Sequence, residues 1–308
     1  MAPIKTVFTA LDRVAMNGDD EIQLVDGLSL VRPNDRLTSG NWSHKINQMD
    51  EEAIKAASRF LVCRYEETDD KDSWNAAQKR ATDLLRSGLM AFQVIKPIRT
   101  FGYVHHGSSG DCFGFDSSQY VPTFIYYGPQ TRPGRWARVN EFNDAMLAQM
   151  PDMITRVQSA LAGPDVPRAN ALTFLQLGLE SEQPYIAGLL WVTGLEAIFD
   201  SRRRDEFKNK LCNCLGPQTL AFPNWHSKPD APSCTVEEVA IPLFVLRNKL
   251  AHGADLRTAA MDAKNPVDLY ARVNLTPGST ATTQALLLSE AACYLLCQVL
   301  QKVLSKRV

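Results

Sequence analysis

No charge of one sign prevails in this chain: 33 lysines and arginines stand against 34 aspartates and glutamates, a formal net charge of −1. That balance excludes a broad nucleic-acid-binding face, so any polyanion site must be local. A membrane-length apolar run is not expected either. The most apolar stretch, Tyr185 to Phe199, is too short to span a bilayer and contains Glu196. Met1-Ala2-Pro3-Ile4-Lys5 leads into mixed sequence rather than a long apolar core, so no secretory leader is expected. The seven cysteines are odd in number and irregularly spaced; they read as reduced thiols of a cytoplasmic protein, not as a disulfide framework. A Gly-Lys-Ser/Thr phosphate loop, a Gly-x-Ser-x-Gly elbow and a dinucleotide fingerprint are all missing, so ATP hydrolysis, esterase and Rossmann chemistry lack support. There is no internal repeat.

What is present is a two-part pattern. At 308 residues, with 45% hydrophobic and 22% charged residues, the chain has room for two domains and the profile of a soluble folded protein. The first part, residues 1–135, reads as a mixed α+β accessory or recognition region. Ile22–Val25 and Leu28–Val31 flank the turn signal Asp26-Gly27; Phe60–Tyr65, Met90–Ile95 and Thr123–Tyr127 are further strand candidates. Trp74 to Gly88 reads as a helix, with loops at Glu66 to Asp72 and Gly107 to Gly110. The second part, residues 136–308, is all-helical, with helices near 137–161, 168–180, 184–200, 204–215, 235–252 and 282–305. Segments 216–234 and 253–281 read as loops. The fold class expected is α+β, a mixed region followed by a helical bundle.

The helix at 235–252 is the best specified. Thr235 and Glu238 make a capping box. Val236, Val239, Leu243, Leu246 and Leu250 form one buried stripe. Pro242 interrupts the backbone ladder, and Gly253 suits the left-handed position past the end. That end carries Arg247-Asn248-Lys249-Leu250-Ala251-His252. Asn248 and His252, four apart, share a face, while Arg247 sits on the shoulder beside the stripe, within reach of the histidine. Arginine binds phosphate through a planar fork, histidine titrates near neutral pH, and a helix C-terminus attracts cations. Such a trio can cleave a phosphodiester without a metal: one group assists the 2′-hydroxyl, the others stabilise the phosphorane and protonate the leaving oxygen. An ordinary helix end accounts for the same residues, with His252 satisfying terminal carbonyls and Arg247 pairing with an acid.

The C-terminal half resembles the HEPN superfamily (higher eukaryotes and prokaryotes nucleotide-binding), and within it the Apea-like branch. The residues carrying the resemblance are Leu189 to Phe199, an apolar helix with a Leu-Glu pair; the basic helix Phe207 to Leu215; and Val245 to Gly253, which holds an Arg-Asn-x-x-x-His motif. The resemblance covers about residues 137–308. It implies a helical domain, ribonuclease roles for Arg247 and His252 with Asn248 as polar partner, and a homodimer in which two motifs face each other. No cofactor and no metal is expected. Activity in the branch is generally inferred, so a non-catalytic binding or assembly module for RNA, nucleotide or protein stands as the alternative.

Other candidates surround the motif. Glu196 lies among Trp191, Leu195, Ile198 and Phe199; a carboxylate buried there needs a partner, and Arg247 is the one expected, the alternative being a solvent-facing Glu near the helix end. Arg202, Arg203, Lys208 and Lys249 are the possible RNA-backbone contacts, although Asp200, Asp205 and Glu206 partly cancel the basic run. Cys212, Cys214, His226 and Cys234 lack paired knuckles, and Cys-x-Cys on a helix points its thiols apart, so zinc is not expected. His105-His106-Gly107 with Asp111-Cys112 resembles the parts of a Cys/His site but reads as a loop near a domain junction.

Overall fold

The computed structural model describes residues 4–11, 14, 19–34, 37, 54–55, 57–66, 71–97, 100–106, 112–114, 142–181, 183–223, 233–253, 269–272 and 282–305. The fold is α+β. Two compact units are formed: residues 1–117 with 141–159, and residues 118–140 with 160–308. An expected boundary at 135/136 differs from this division, because most of the first helix after it clusters with the sheet.

In the first unit six strands make one sheet, β1 (Ile4–Leu11), β2 (Glu21–Val25), β3 (Leu28–Val31), β4 (Arg59–Glu66), β5 (Thr100–His106) and β6 (Cys112–Gly114), in the order β2-β3-β4-β1-β5-β6. Every neighbouring pair is antiparallel. β1 is central, paired with β4 from Ile4↔Glu66 to Leu11↔Arg59. Seven of its eight residues are buried, Thr6 and Thr9 among them. Phe8 and Phe60 meet edge to face, ring centroids 5.6 Å apart.

A single 25-residue helix, α1 (Lys71–Ile95), follows and packs on β4. It corrects two expectations: the helix does not stop at Gly88, and Met90–Ile95 is its last turns, not a strand. Met90, Ala91, Phe92 and Val94 are all buried, so the run shows no polar face, and a short apolar run cannot be told from a buried strand by periodicity. Gly88 lies where the helix presses on the sheet; a Cβ there would meet Leu28 Cδ2 at 2.6 Å. Phe92 also stacks near Phe142, centroids 4.7 Å apart. The expected helix at 137–161 is seen as α2 (Asp144–Leu147), capped by Asn143, and α3 (Met150–Ala162). The strand expected at Thr123–Tyr127 and the loop at Gly107–Gly110 lie outside the described residues.

The second unit is helical: α4 (Val166–Glu180), α5 (Pro184–Phe199), α6 (Arg204–Leu215), α7 (Val236–Ala251), α8 (Leu269–Arg272) and α9 (Thr282–Ser305). The short α8 lies inside the stretch expected to be a loop, 253–281. α5 is the axis, packing against α4, α9 and α7. Its composition explains that place: a helix apolar nearly all round must be buried on several sides. Trp191, fully buried, donates its indole N–H to the Leu175 carbonyl of α4 at 3.3 Å. At Gly188 the backbone meets α9 so closely that a Cβ would sit 2.2 Å from Ser289 Oγ. Within α9, Leu286–Ser305 is long and apolar enough by length and composition to cross a membrane, which the reading of Tyr185–Phe199 did not anticipate; 67% of that stretch is buried, the position of a core helix in the bundle.

Candidate functional site

α7 begins as its sequence dictates. The Thr235 backbone N–H donates to Glu238 Oε2 at 2.9 Å, and its hydroxyl donates to the same oxygen at 3.2 Å. Val236, Val239, Leu243 and Leu246 are buried, which fixes the helix rotation; Leu250 is half-buried. Arg247 is thereby turned toward α5. Glu196 Oε2 lies 3.0 Å from Arg247 Nε, the pairing expected of a carboxylate in an apolar helix, with side chains 12% and 33% exposed respectively. The Nε–H makes no directed hydrogen bond among the described residues, so this contact is an attraction between charges. The directed bond comes from Nη1, which donates to Asn248 Oδ1 at 2.8 Å. Burial raises the Glu196 carboxyl above its ordinary value, and the Arg247 charge opposes that rise.

His252 caps the C-terminus of α7. Its backbone N–H donates to the carbonyls of Asn248 at 3.1 Å and Lys249 at 3.2 Å, and its side chain is exposed. Gly253 follows at φ +78°, the left-handed conformation its sequence position suggested. Arg247 and His252 are not hydrogen-bonded to each other among the described residues. The guanidinium, expected to reach toward the ring, points to Glu196 and Asn248 because the opposite charge on α5 draws it. Five residues of helix place their backbones about 7.5 Å apart along the axis and about 140° apart around it.

The structure disperses the basic cluster. Arg202 and Arg203 are exposed. Lys208 pairs with Glu237 at 3.0 Å, and Lys210 with Glu206 at 2.6 Å. Lys210 also donates to the Phe199 carbonyl at 2.6 Å, closing the end of α5 where Asp200 turns left-handed at φ +43°. The Glu206 carboxyl is held below its ordinary value chiefly by the hydrogen bond from Lys210. Lys249 is half-buried on α7. Of the four expected phosphate contacts, Lys208 is committed to an acid and Lys249 also has a partner.

Cys212 and Cys214 are half-buried, Cys234 is buried, and all are free thiols; His226 lies outside the described residues. No group of three or more His, Cys, Asp or Glu could hold a metal among the described residues. His105 and Cys112 belong to β5 and β6 and are register partners across that ladder, not members of one loop.

One partnership escaped the sequence. Arg272 Nη1 lies 2.6 Å from Glu238 Oε1, tying α8 to the start of α7. The two residues are 34 positions apart, and Arg272 sits in a segment without periodic pattern, so no signal pointed to it. Comparison of the chain with family models, with curated proteins and with solved structures gives no match.

Proposed function

We propose that the helical unit is a metal-independent endoribonuclease of the HEPN type, acting on single-stranded RNA in the cytoplasm as a toxin or defence effector. The observation that supports this reading most is Arg247, its side chain a third exposed and its guanidinium anchored by Glu196 and Asn248, on the same helix end as the exposed His252. Anchoring leaves the fork pre-organised for a phosphate. Arg247 would hold the scissile phosphate and stabilise the phosphorane. His252 would take the proton from the 2′-hydroxyl or deliver one to the 5′-oxygen, and Asn248 would keep Arg247 in place. The 2′-oxygen to phosphorus bond forms, the bond to the 5′-oxygen breaks, and the products are a 2′,3′-cyclic phosphate and a 5′-hydroxyl. Two copies meeting along these helices would supply the second acid-base group. Arg202 and Arg203 would follow the RNA backbone, with Lys249 nearer the motif, and the sheet unit would recognise the target.

A second reading is favoured by the same contacts. Arg247 joins α5 to α7 through Glu196, the work of a structural residue in a non-catalytic binding module. Cleavage of a mixed RNA in EDTA, run beside thermal melting for wild type, Arg247→Ala and His252→Ala, separates the two. The nuclease reading expects cleavage by wild type and its loss in a still-folded His252→Ala. No cleavage by wild type, with Arg247→Ala unfolding early, supports the module instead.

A further inference from the structure

A hollow of about 440 Å³ opens on the sheet unit, between the end of β4, the β2–β3 turn and one face of α1. Residue size explains it. Protein interiors are normally filled to near-crystalline density, but the walls here are Ser73, Ala77 and Ala81 from the helix and Gly27 and Cys63 from the strands. Ser73, Ala77 and Ala81 recur every four residues, so one row of the helical face carries small groups beside Arg80 and Leu84. Tyr65 and Leu84 complete a largely apolar lining. Burial pushes the Cys63 thiol up to about 11, so that wall carries no charge at neutral pH.

Three charged side chains border the hollow, and only one is committed. Arg64 is held in a two-pronged contact by Glu21, Nη1 to Oε1 at 2.5 Å and Nη2 to Oε2 at 3.0 Å. Arg80 is exposed and forms no hydrogen bond or ion pair among the described residues, and the same holds for the Glu66 carboxylate. An open hollow with a largely apolar lining and one uncommitted guanidinium at its border has the make-up of a small-molecule site.

We propose that this hollow binds a small monoanionic carboxylate with an apolar body, its carboxylate on Arg80 and its body against Ala77, Ala81 and Tyr65. The planar fork of arginine matches a carboxylate in two parallel hydrogen bonds. Glu66 borders the same opening and repels a second negative charge, so a phosphate monoester fits less well. The inference does not rest on the nuclease reading.

Titration of the full chain with phenylacetate and octanoate, followed by the amide NMR signals of Gly27, Ala77 and Ala81, tests it. Saturable shifts at those amides are expected with both compounds. Loss of a charge-assisted hydrogen bond should weaken binding about tenfold or more in Arg80→Gln, and phenylacetamide and AMP should bind the wild type weaker by a similar factor. Arg80 is exposed, so the variant should keep the wild-type melting temperature. Absence of shifts at these amides with both carboxylates overturns the proposal, as does equal binding by Arg80→Gln, by the neutral amide or by AMP.

Discussion

Glu196 and Arg247, 51 positions apart in sequence, face each other at 3.0 Å across α5 and α7. The carboxyl is raised above its ordinary 4.5 by burial, with Arg247 opposing. The folded chain therefore holds that proton more tightly than the unfolded chain does. Its contribution to stability is complete below 4.5 and is lost as pH rises through the folded value. Relative to Glu196→Gln, the wild type should lose stability as pH rises from 4.5 toward neutrality. Urea midpoints measured from pH 4 to 7 check this; a gap that stays constant with pH counts against it.

Arg247→Lys keeps the charge and loses the fork. An ammonium cannot reproduce both the Asn248 hydrogen bond and the Glu196 contact in the same geometry. A stability loss of about 1 kcal/mol is expected. If the nuclease reading holds, kcat should fall at least about tenfold more than melting explains. Chemical denaturation and a single-turnover cleavage assay, run on one preparation, read both.

Gly253→Ala should cost about 1–2 kcal/mol, the penalty of a side chain in left-handed backbone. Nothing lies within 4 Å of the added Cβ, so the whole effect is conformational. Gly253→Asn should recover part of it, since asparagine tolerates that region better. Thermal melts of the two variants decide the point; equal losses would mean the cost comes from elsewhere.

The Glu238 carboxyl combines two jobs, the cap of α7 and the tie to Arg272. Burial alone would raise it, but the hydrogen bonds from Arg272 and from the Thr235 N–H outweigh that and leave it below 4.5. Its contribution is therefore present above 4.5 and lost as pH falls through the folded value. Both partners are about a third exposed, so the ion-pair share of Glu238→Gln should stay below about 1 kcal/mol at pH 7. That share should shrink as the wild type is acidified, the opposite trend to the Glu196 variant. Parallel urea series on the two variants would expose any error in sign.

Much of the candidate site was legible because its physics is local. The cap at Thr235, the stripe that orients Arg247 and the turn at Gly253 are written within twenty residues. Glu196 was legible for another reason: a carboxylate among Trp191, Leu195 and Phe199 demands a counter-charge, and the motif offered one. The sheet was less readable. β1 went unread because it is a central strand buried on nearly its whole length, so Lys5, Thr6 and Thr9 break the alternation that marks a half-exposed strand. Met90–Ile95 misled for the converse reason, as a helix tail with no wet side. Which unit Glu141–Ser159 joins depends on packing partners more than 40 residues away, and no local signal carries that.

The tight crossing at Gly188 has a reach beyond its own neighbourhood. Because the missing side chain lets α5 lie directly on Ser289, any side chain added there would force the two helices apart. Glu196 sits eight residues further along the same rod, so its angle toward Arg247 is dictated two turns upstream by an atom that is not there. Damage at Gly188 would therefore surface as a misaimed guanidinium, a defect that inspection of the motif alone would never trace to its origin.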